Sequence, residues 1–130
     1  MTYKLYDFVD GKGINQIKKW TQGLQKRDRV RLNRKLDLLE QSGKDLPPGL
    51  LSDTDSSKIK KLRITGRKVP TLRPMLCRGP INVETEFTIL QGAIEQDRKL
   101  VPSDAVLQAE QKRQIILDCP SRRCEHEQVN

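Results

Sequence analysis

The amino-acid sequence predicts a single α+β domain with two layers, in which a helical hairpin packs on a small, mostly antiparallel sheet. The first observation behind this prediction is the order of hydrophobic patterns along the chain, which is β-α-α-β-β-β-α. The second is the length of 130 residues, which suits one modest hydrophobic core. The third is the content of hydrophobic residues, 35% with few aromatic ones, so that Leu, Ile and Val would form the core.

The first three elements are a strand and two helices. Residues 3–9 are rich in aromatic and β-branched side chains, which predicts a strand. Apolar residues recur at helical spacing from Ile14 to Leu24 and predict a short amphipathic helix. A longer helix is expected from about residue 25 or 28 to Ser42, with Gly43 placed to end it. Its other side carries basic residues and is expected to be a solvated face, with phosphate contact as the alternative: Arg27, Arg29, Arg31, Arg34 and Lys35.

A loop and three further strands follow the helices. Residues 44–57 contain two adjacent prolines, Pro47 and Pro48, and a polar run, which together predict a loop. Prolines at 70 and 74 cannot donate to a ladder, so the second of the three strands is expected to be short, bulged or at an edge. The strands are predicted at residues 58–64, 69–78 and 83–92.

The last predicted element is a helix that begins at Pro102-Ser103-Asp104 and carries an apolar side as far as Leu117. Residues 118–130 are polar and show no pattern that demands order, so a flexible C-terminal tail is expected there and residues 1–117 would form the domain. The tail contains two cysteines and the one histidine, but their spacing lacks a fourth zinc ligand, so no metal site is expected: Cys119, Cys124 and His126.

The formal net charge of +8 favours an anionic partner such as nucleic acid, a ribosome or an acidic protein. Between Lys58 and Gly79 the chain places eight basic residues and no acidic one: Lys58, Lys60, Lys61, Arg63, Arg67, Lys68, Arg73 and Arg78. Alternate strand residues face opposite sides, so Lys61 and Arg63 would share one face. Guanidinium groups on a fixed sheet suit a phosphate backbone. The alternative interpretation is a solvated sheet face without a partner.

The sequence also bears on the compartment and on cofactors. No apolar run approaches the roughly 20 residues that span a membrane, and the N-terminus lacks the apolar stretch of a signal peptide. The three cysteines are an odd number and do not predict a disulfide framework. Cys77 is expected to be a small core residue rather than a nucleophile. We therefore expect a cytoplasmic protein without a cofactor.

Several short motifs occur in a fixed order along the chain. They are Trp20-x-x-x-Leu24 with a basic helix and Leu36-Asp-Leu-Leu-Glu-Gln-Ser-Gly43, then Lys61-Leu-Arg63, Leu72-Arg73, Ile89-Leu-Gln-Gly-Ala93, and Arg98-Lys-Leu-Val-Pro102. In this order and spacing they resemble the motifs of the RelE/ParE superfamily of bacterial toxins, particularly its HigB-like branch. The resemblance covers roughly residues 3–117 and implies a RelE-like fold.

The resemblance implies an mRNA interferase, which is a metal-independent endoribonuclease that acts on mRNA in the ribosome and is neutralised by a cognate antitoxin. In such enzymes the ribose 2′-hydroxyl attacks the adjacent phosphate. By position, Arg63 and Arg73 would hold the scissile phosphate, and Arg98 or Lys99 would donate to the leaving oxygen or aid proton transfer. Gln91 would hydrogen-bond where the family has a histidine. The other basic residues would bind RNA: Lys58, Lys60, Lys61, Arg67, Lys68 and Arg78.

Three residues depart from the family pattern. Glu95-Gln96 replaces the family's paired lysines, and Ala93 replaces an aromatic residue. Glu95 would either act as the general base or indicate that catalysis has been lost. The alternative hypothesis is therefore a non-catalytic ParE-like or degenerate toxin-fold protein that binds a topoisomerase, RNA or a protein partner. Neither hypothesis implies a membrane or a small-molecule cofactor.

Overall fold

A sheet of six strands lies at the centre of the protein, with helices on both of its faces. The computed structural model describes residues 2–46 and 49–130, and it confirms the α+β class. Across these ranges, no helix combines the length and the apolar composition that crossing a bilayer requires. The helices are α1 (Gln16–Gln22), α2 (Lys26–Ser42) and α3 (Ala105–Asp118). The strands are β1 (Lys4–Phe8), β2 (Leu51–Asp53), β3 (Lys60–Leu62), β4 (Thr71–Leu72), β5 (Met75–Arg78), β6 (Glu86–Gln91), β7 (Ile94–Gln96), β8 (Lys99–Val101) and β9 (Arg123–Glu125).

The strands of the central sheet lie in the order β2-β3-β5-β6-β1-β9. Neighbouring strands are antiparallel except for β1 and β6, which run parallel. A smaller sheet, β4-β7-β8, continues the same ladder, because Leu72 pairs with Ile94 and the Arg73 amide donates to the Ala93 carbonyl at 2.8 Å. Pro74 separates β4 from β5, as expected of a residue that has no amide donor.

The central sheet separates two hydrophobic clusters. Residues of α1 and α2, among them Ile17 and Leu36, pack on one face. On the opposite face α3 packs through Ala105, Ala109 and Ile116. Each face takes alternate strand residues, as the pleat of a sheet requires. The expectation of two layers is therefore wrong, because α3 forms a third layer on the face opposite the helical hairpin.

Three short strands lie where the sequence predicts no strand. β2 falls within the predicted loop 44–57, of which Pro47 and Pro48 lie outside the described residues. The strands β7 and β8 form a hairpin after the predicted strand 83–92. Its turn residues Asp97 and Arg98 have φ angles of 51° and 66°. Such turns usually contain Gly or Asn, so the sequence carries no signal for this hairpin.

The C-terminal segment 118–130, expected to be a flexible tail, contains an edge strand. β9 pairs antiparallel with β1, with Asp7 opposite Cys124. The His126 Nδ1 atom lies 2.8 Å from Oδ1 of Asp7, a carboxylate with no exposed surface. Further along, the Asn33 side chain on α2 donates to the Val129 carbonyl at 2.9 Å. This segment therefore closes the β1 edge of the sheet.

Buried polar contacts fix the C-terminal segment to the rest of the protein. Arg123 donates to the Glu86 carboxylate at 2.6 and 3.3 Å, and the exposed fractions of the two side chains are 11% and 12%. The Arg123 guanidinium also lies 3.8 Å from the centroid of the Tyr6 ring. On the other face, Asn15, the N-cap residue of α1, donates to the second Asp7 oxygen at 2.9 Å and to the Cys124 sulfur of β9 at 3.4 Å. Ionic and hydrogen-bonded contacts therefore hold β9 on both faces of the sheet.

One basic residue of α2 has a structural role in place of the solvated position expected for it. Arg31 donates to the Asp28 carboxylate at 2.7 Å and to the carbonyls of Ile64 and Pro70 at 3.2 and 3.1 Å. These bonds hold the loop between β3 and β4 against the helix. A Cβ atom on Gly66 would lie 3.0 Å from the Arg31 guanidinium, so the loop approaches the arginine closely at that point.

Candidate anion-binding site

Two arginines lie opposite each other on neighbouring strands of the sheet. Ile64 and Leu72 exchange two backbone hydrogen bonds of 3.0 and 2.9 Å, and the same register pairs β3 with β5. Arg63 is therefore directly opposite Arg73, and the two form a non-hydrogen-bonded pair of the antiparallel ladder. Such pairs bring Cα atoms to about 4.5 Å and their side chains to the same face. We call these two residues the arginine pair.

Two more of the predicted site residues share this face. Arg73 bonds through its amide to Ala93, and Gln91 and Glu95 lie two residues to either side of Ala93. Because alternate strand residues share a face, Gln91 and Glu95 project on the same side as Arg73. The Glu95 Oε1 atom lies 3.7 Å from Nη2 of Arg73. The fold thus gathers Arg63, Arg73, Gln91 and Glu95 on one face.

A β-bulge in β6 sets the direction of Gln91. Met75 pairs with Gln91, but Leu76 pairs with Ile89, so Leu90 is an extra residue in β6. Leu90 packs in the cluster beneath α3, and the Gln91 side-chain oxygen accepts a hydrogen bond from Lys112 of α3. Bulges re-aim side chains and are frequent beside active sites. Here the bulge brings Gln91 against the helix that covers the site.

Lys112 is a residue of this site that sequence reasoning misses. Burial lowers the pKa of its ammonium group, and its Nζ lies 5.3 Å from the centroid of the Phe8 ring. With Gln91 and Trp20 it lines a cleft of about 240 Å³ between α1 and α3. The sequence contains one signal that could have identified Lys112. It lies three residues after Ala109 and four before Ile116, which places it on the apolar side of the last helix.

Arg73 is buried without a full set of partners. Its exposed fraction is 9%, and within the part of the chain that the structure describes its Nε and Nη1 atoms have no hydrogen-bond partner. Glu95 forms an ion pair with Arg73, but their separation of 3.7 Å is too long for a hydrogen bond, and Arg63 opposite carries the same charge. A buried cation in this state is unfavourable unless an anion completes it. The site therefore suits a ligand with several anionic oxygens, such as a phosphate.

Arg98 and Lys99, the other predicted catalytic residues, lie at the β7–β8 turn. Both are exposed. Among the described residues, neither forms a hydrogen bond or an ion pair with the arginine pair or with Glu95. The structure therefore places them beyond Glu95 on the hairpin, separate from the gathered residues.

We expect Arg98→Gly to stabilise the protein by about 1 kcal/mol, because the left-handed conformation costs a residue with a Cβ roughly 1–2 kcal/mol and costs glycine little. The positive φ of Arg98, 66°, is the physical reason. Urea unfolding of the variant measures the change. Arg98→Lys is the matched control, which keeps the strained turn and should show no gain. A less stable glycine variant would contradict this account of the turn.

The predicted RNA-binding residues occupy two different places. Arg67 and Lys68 are exposed in the loop between β3 and β4, close in sequence to the arginine pair. Lys61 pairs with Met75 and shares the face of Arg63. The remaining three lie toward the opposite end of β3 and β5: Lys58, Lys60 and Arg78. The basic residues of the sequence therefore do not form one continuous face.

The cysteines and the histidine do not assemble a metal site. Over residues 2–46 and 49–130 there is no group of three or more His, Cys, Asp or Glu side chains arranged to hold an ion. Burial raises the pKa of the Cys77 thiol to about 12. Burial, together with Asp7, also raises the pKa of the Cys124 thiol. Both groups are therefore protonated near neutral pH and are poor nucleophiles.

Comparison with known proteins adds no relative from which a function can be transferred. No protein-family model, no curated protein and no solved structure matches the chain. The functional assignment therefore depends on the chemistry of the residues gathered at the arginine pair: Arg63, Arg73, Gln91, Glu95 and Lys112.

Proposed function

We propose that this protein is an endoribonuclease that cleaves RNA without a metal ion and binds the scissile phosphate at the arginine pair. The observation that carries this proposal is the buried guanidinium of Arg73, two of whose nitrogens have no hydrogen-bond partner among the described residues. Arg63, exposed and directly opposite, supplies a second cation to the same ligand. The net charge of +8 supports a polyanionic substrate.

The proposed reaction is a transesterification followed by release of the downstream strand. The 2′-hydroxyl loses its proton, the 2′-oxygen forms a bond to phosphorus, and the bond from phosphorus to the 5′-oxygen breaks. Glu95 is the proposed proton acceptor, because its carboxylate lies beside Arg73. The arginine pair stabilises the added negative charge on the phosphorane. The products are a 2′,3′-cyclic phosphate and a 5′-hydroxyl end.

The leaving 5′-oxygen needs a proton, and Lys112 is the proposed donor. Burial lowers the pKa of its ammonium group, which makes it a stronger acid than an exposed lysine. Its hydrogen bond to Gln91 directs it toward the face that carries Arg73. Gln91 thus acts as a positioning residue in this scheme. Arg98 and Lys99, exposed on the hairpin turn, would contact flanking phosphates.

The biological setting that we propose follows from the motif resemblance described above. The protein would have a RelE-like fold and be the toxin component of a toxin–antitoxin pair. It would act on mRNA at the ribosome in the cytoplasm of a bacterium. A cognate antitoxin would neutralise it by covering the arginine pair with an acidic or apolar segment, because blocking that pair removes the phosphate site.

A second candidate function is non-catalytic binding of a topoisomerase, RNA or a protein, as expected of a ParE-like or degenerate toxin fold. Two observations favour it. The carboxylate of Glu95, 3.7 Å from Arg73, offsets part of the charge that would bind phosphate. The packing of α3 on the same face also restricts access to the sheet. The two functions differ in whether RNA is cut.

Controlled expression in a bacterial host distinguishes them, with growth followed and RNA ends mapped by their 5′-hydroxyl chemistry. We expect growth arrest with new 5′-hydroxyl ends, and neither effect in the double variant Arg63→Ala/Arg73→Ala. Arg34→Ala, on the exposed side of α2, is the matched control and should behave as wild type. Arrest without new ends would favour the binding function. Normal growth with intact RNA, from folded protein, would contradict the nuclease proposal.

A further inference from the structure

A second group of basic side chains lies at the far end of β3 and β5. A cleft of about 240 Å³ is formed there between the start of β3, the turn after β5, and α3. The distance along the strand from Arg73 to Arg78 is about 16 Å at roughly 3.3 Å per residue, so the cleft is separate from the arginine pair. Its lining residues are Ser57, Lys58, Lys60, Arg78, Val83 and Arg113.

The cleft has an excess of positive charge. Four of its lining side chains are basic and none is acidic. Lys60 forms an ion pair with Asp53. Within the described ranges of the chain, the other three cations have no carboxylate partner: Lys58, Arg78 and Arg113. Like charges held at close range are unfavourable, and a bound anion relieves that repulsion.

The two arginines of the cleft are held by rigid elements. Arg78 is the last residue of β5, and its Nε donates to the Val83 carbonyl at 3.2 Å. This bond orients the guanidinium and leaves its two terminal nitrogens for a ligand. Arg113 belongs to α3, which packs against the sheet through Ala109 and Ile116. Donors fixed in this way lose little entropy when they bind an anion.

We propose that this cleft is a phosphate-binding site, formed by the guanidinium groups of Arg78 and Arg113 with Lys58. The donor set suits a tetrahedral anion, because two planar forks and an ammonium group line the cleft from different elements. The phosphate has two possible sources: an RNA strand that also contacts the arginine pair, or a small phosphorylated molecule. The site itself does not depend on the RNA cleavage proposed above.

Titration of the full chain with inorganic phosphate, followed by amide NMR, tests the site. We expect the largest shifts at residues around Arg78 and Val83. In Arg78→Gln/Arg113→Gln the dissociation constant read from these amides should rise at least about tenfold, the loss expected when charge-assisted hydrogen bonds are removed. Arg27→Gln/Arg34→Gln, on exposed positions of α2, should bind phosphate as the wild type does.

Two further measurements make the test decisive. A single-stranded RNA oligonucleotide should bind the cleft variant more weakly if RNA is the source of the phosphate, and equally well if a small molecule is. Arg73→Ala should leave phosphate binding at the cleft unchanged, which separates this site from the nuclease proposal. If phosphate shifts no amide resonance around the cleft of the wild-type protein, the proposal is overturned. This outcome does not depend on whether the double variant folds. An unaltered dissociation constant at the cleft amides of a folded double variant would overturn it as well.

Discussion

Replacing Arg73 by methionine is expected to remove RNA cleavage while leaving the protein at least as stable as the wild type. Loss of one charge-stabilising donor lowers a rate by about 10²–10³-fold. Stability should not fall, because an apolar residue of similar length replaces a buried cation that lacks a full set of partners. RNA cleavage assays and urea unfolding measure the two quantities on the same sample.

Arg31→Met is the matched control for a buried arginine with a structural role. Here the removal leaves Asp28, with an exposed fraction of 7%, and the carbonyls of Ile64 and Pro70 without their donor. We expect a loss of about 3–5 kcal/mol in the free energy of unfolding. Equal losses in the Arg31 and Arg73 variants would mean that Arg73 also has a structural role, and would remove the main support for the phosphate site.

The second large effect is expected on stability, when the chain is shortened to end at Asp118. This deletion removes Arg123 from Glu86 and His126 from Asp7, both of them buried carboxylates. Breaking a buried ion pair by removing one partner costs about 3–5 kcal/mol, and an unsatisfied buried acceptor adds about 1–3 kcal/mol. The total is comparable with the whole stability of a small domain, about 5–15 kcal/mol. We therefore expect the shortened chain to lose cooperative thermal unfolding in calorimetry.

A shorter deletion provides the control for this experiment. Removing only residues 128–130 breaks the contact between Asn33 and the Val129 carbonyl but keeps β9 and His126. Its expected cost is about 1 kcal/mol. Arg123→Met should reproduce much of the larger effect on its own, because Glu86 then remains buried without its partner. A chain ending at Asp118 that unfolds as the wild type does would instead support the flexible tail expected from sequence.

The elements with strong periodicity were predictable from the sequence. Three helices and the longer strands β1 and β6 carry helical or alternating patterns that identify them. The short strands β2, β7, β8 and β9 have three residues each, too few for alternation to be detected. These strands form because they pair with residues that are distant in the sequence, such as Asp7 opposite Cys124. Tertiary pairing of this kind leaves no local signal in the chain.

The candidate site was predictable to a similar extent. Short motifs identified Arg63, Arg73, Gln91 and Glu95, and the fold brings them to one face. The covering of that face by α3 was not predictable, because an apolar helix side does not reveal which face of a sheet it packs against. The participation of Lys112 depends on that same packing. The partition of the basic residues between two places depends on the length of β5, which separates Arg73 from Arg78.

The position of β1 between β6 and β9 has a consequence for the timing of folding. β1 lies near residue 4, whereas its two neighbours begin at residues 86 and 123. At a synthesis rate of about 5–20 residues per second, about 6–25 seconds pass between translation of β1 and translation of β9. During that interval β1 lacks β9, its hydrogen-bonded neighbour on one side. The native sheet can therefore be completed only after β9 has been translated, and its folding is slowed by these long-range pairings.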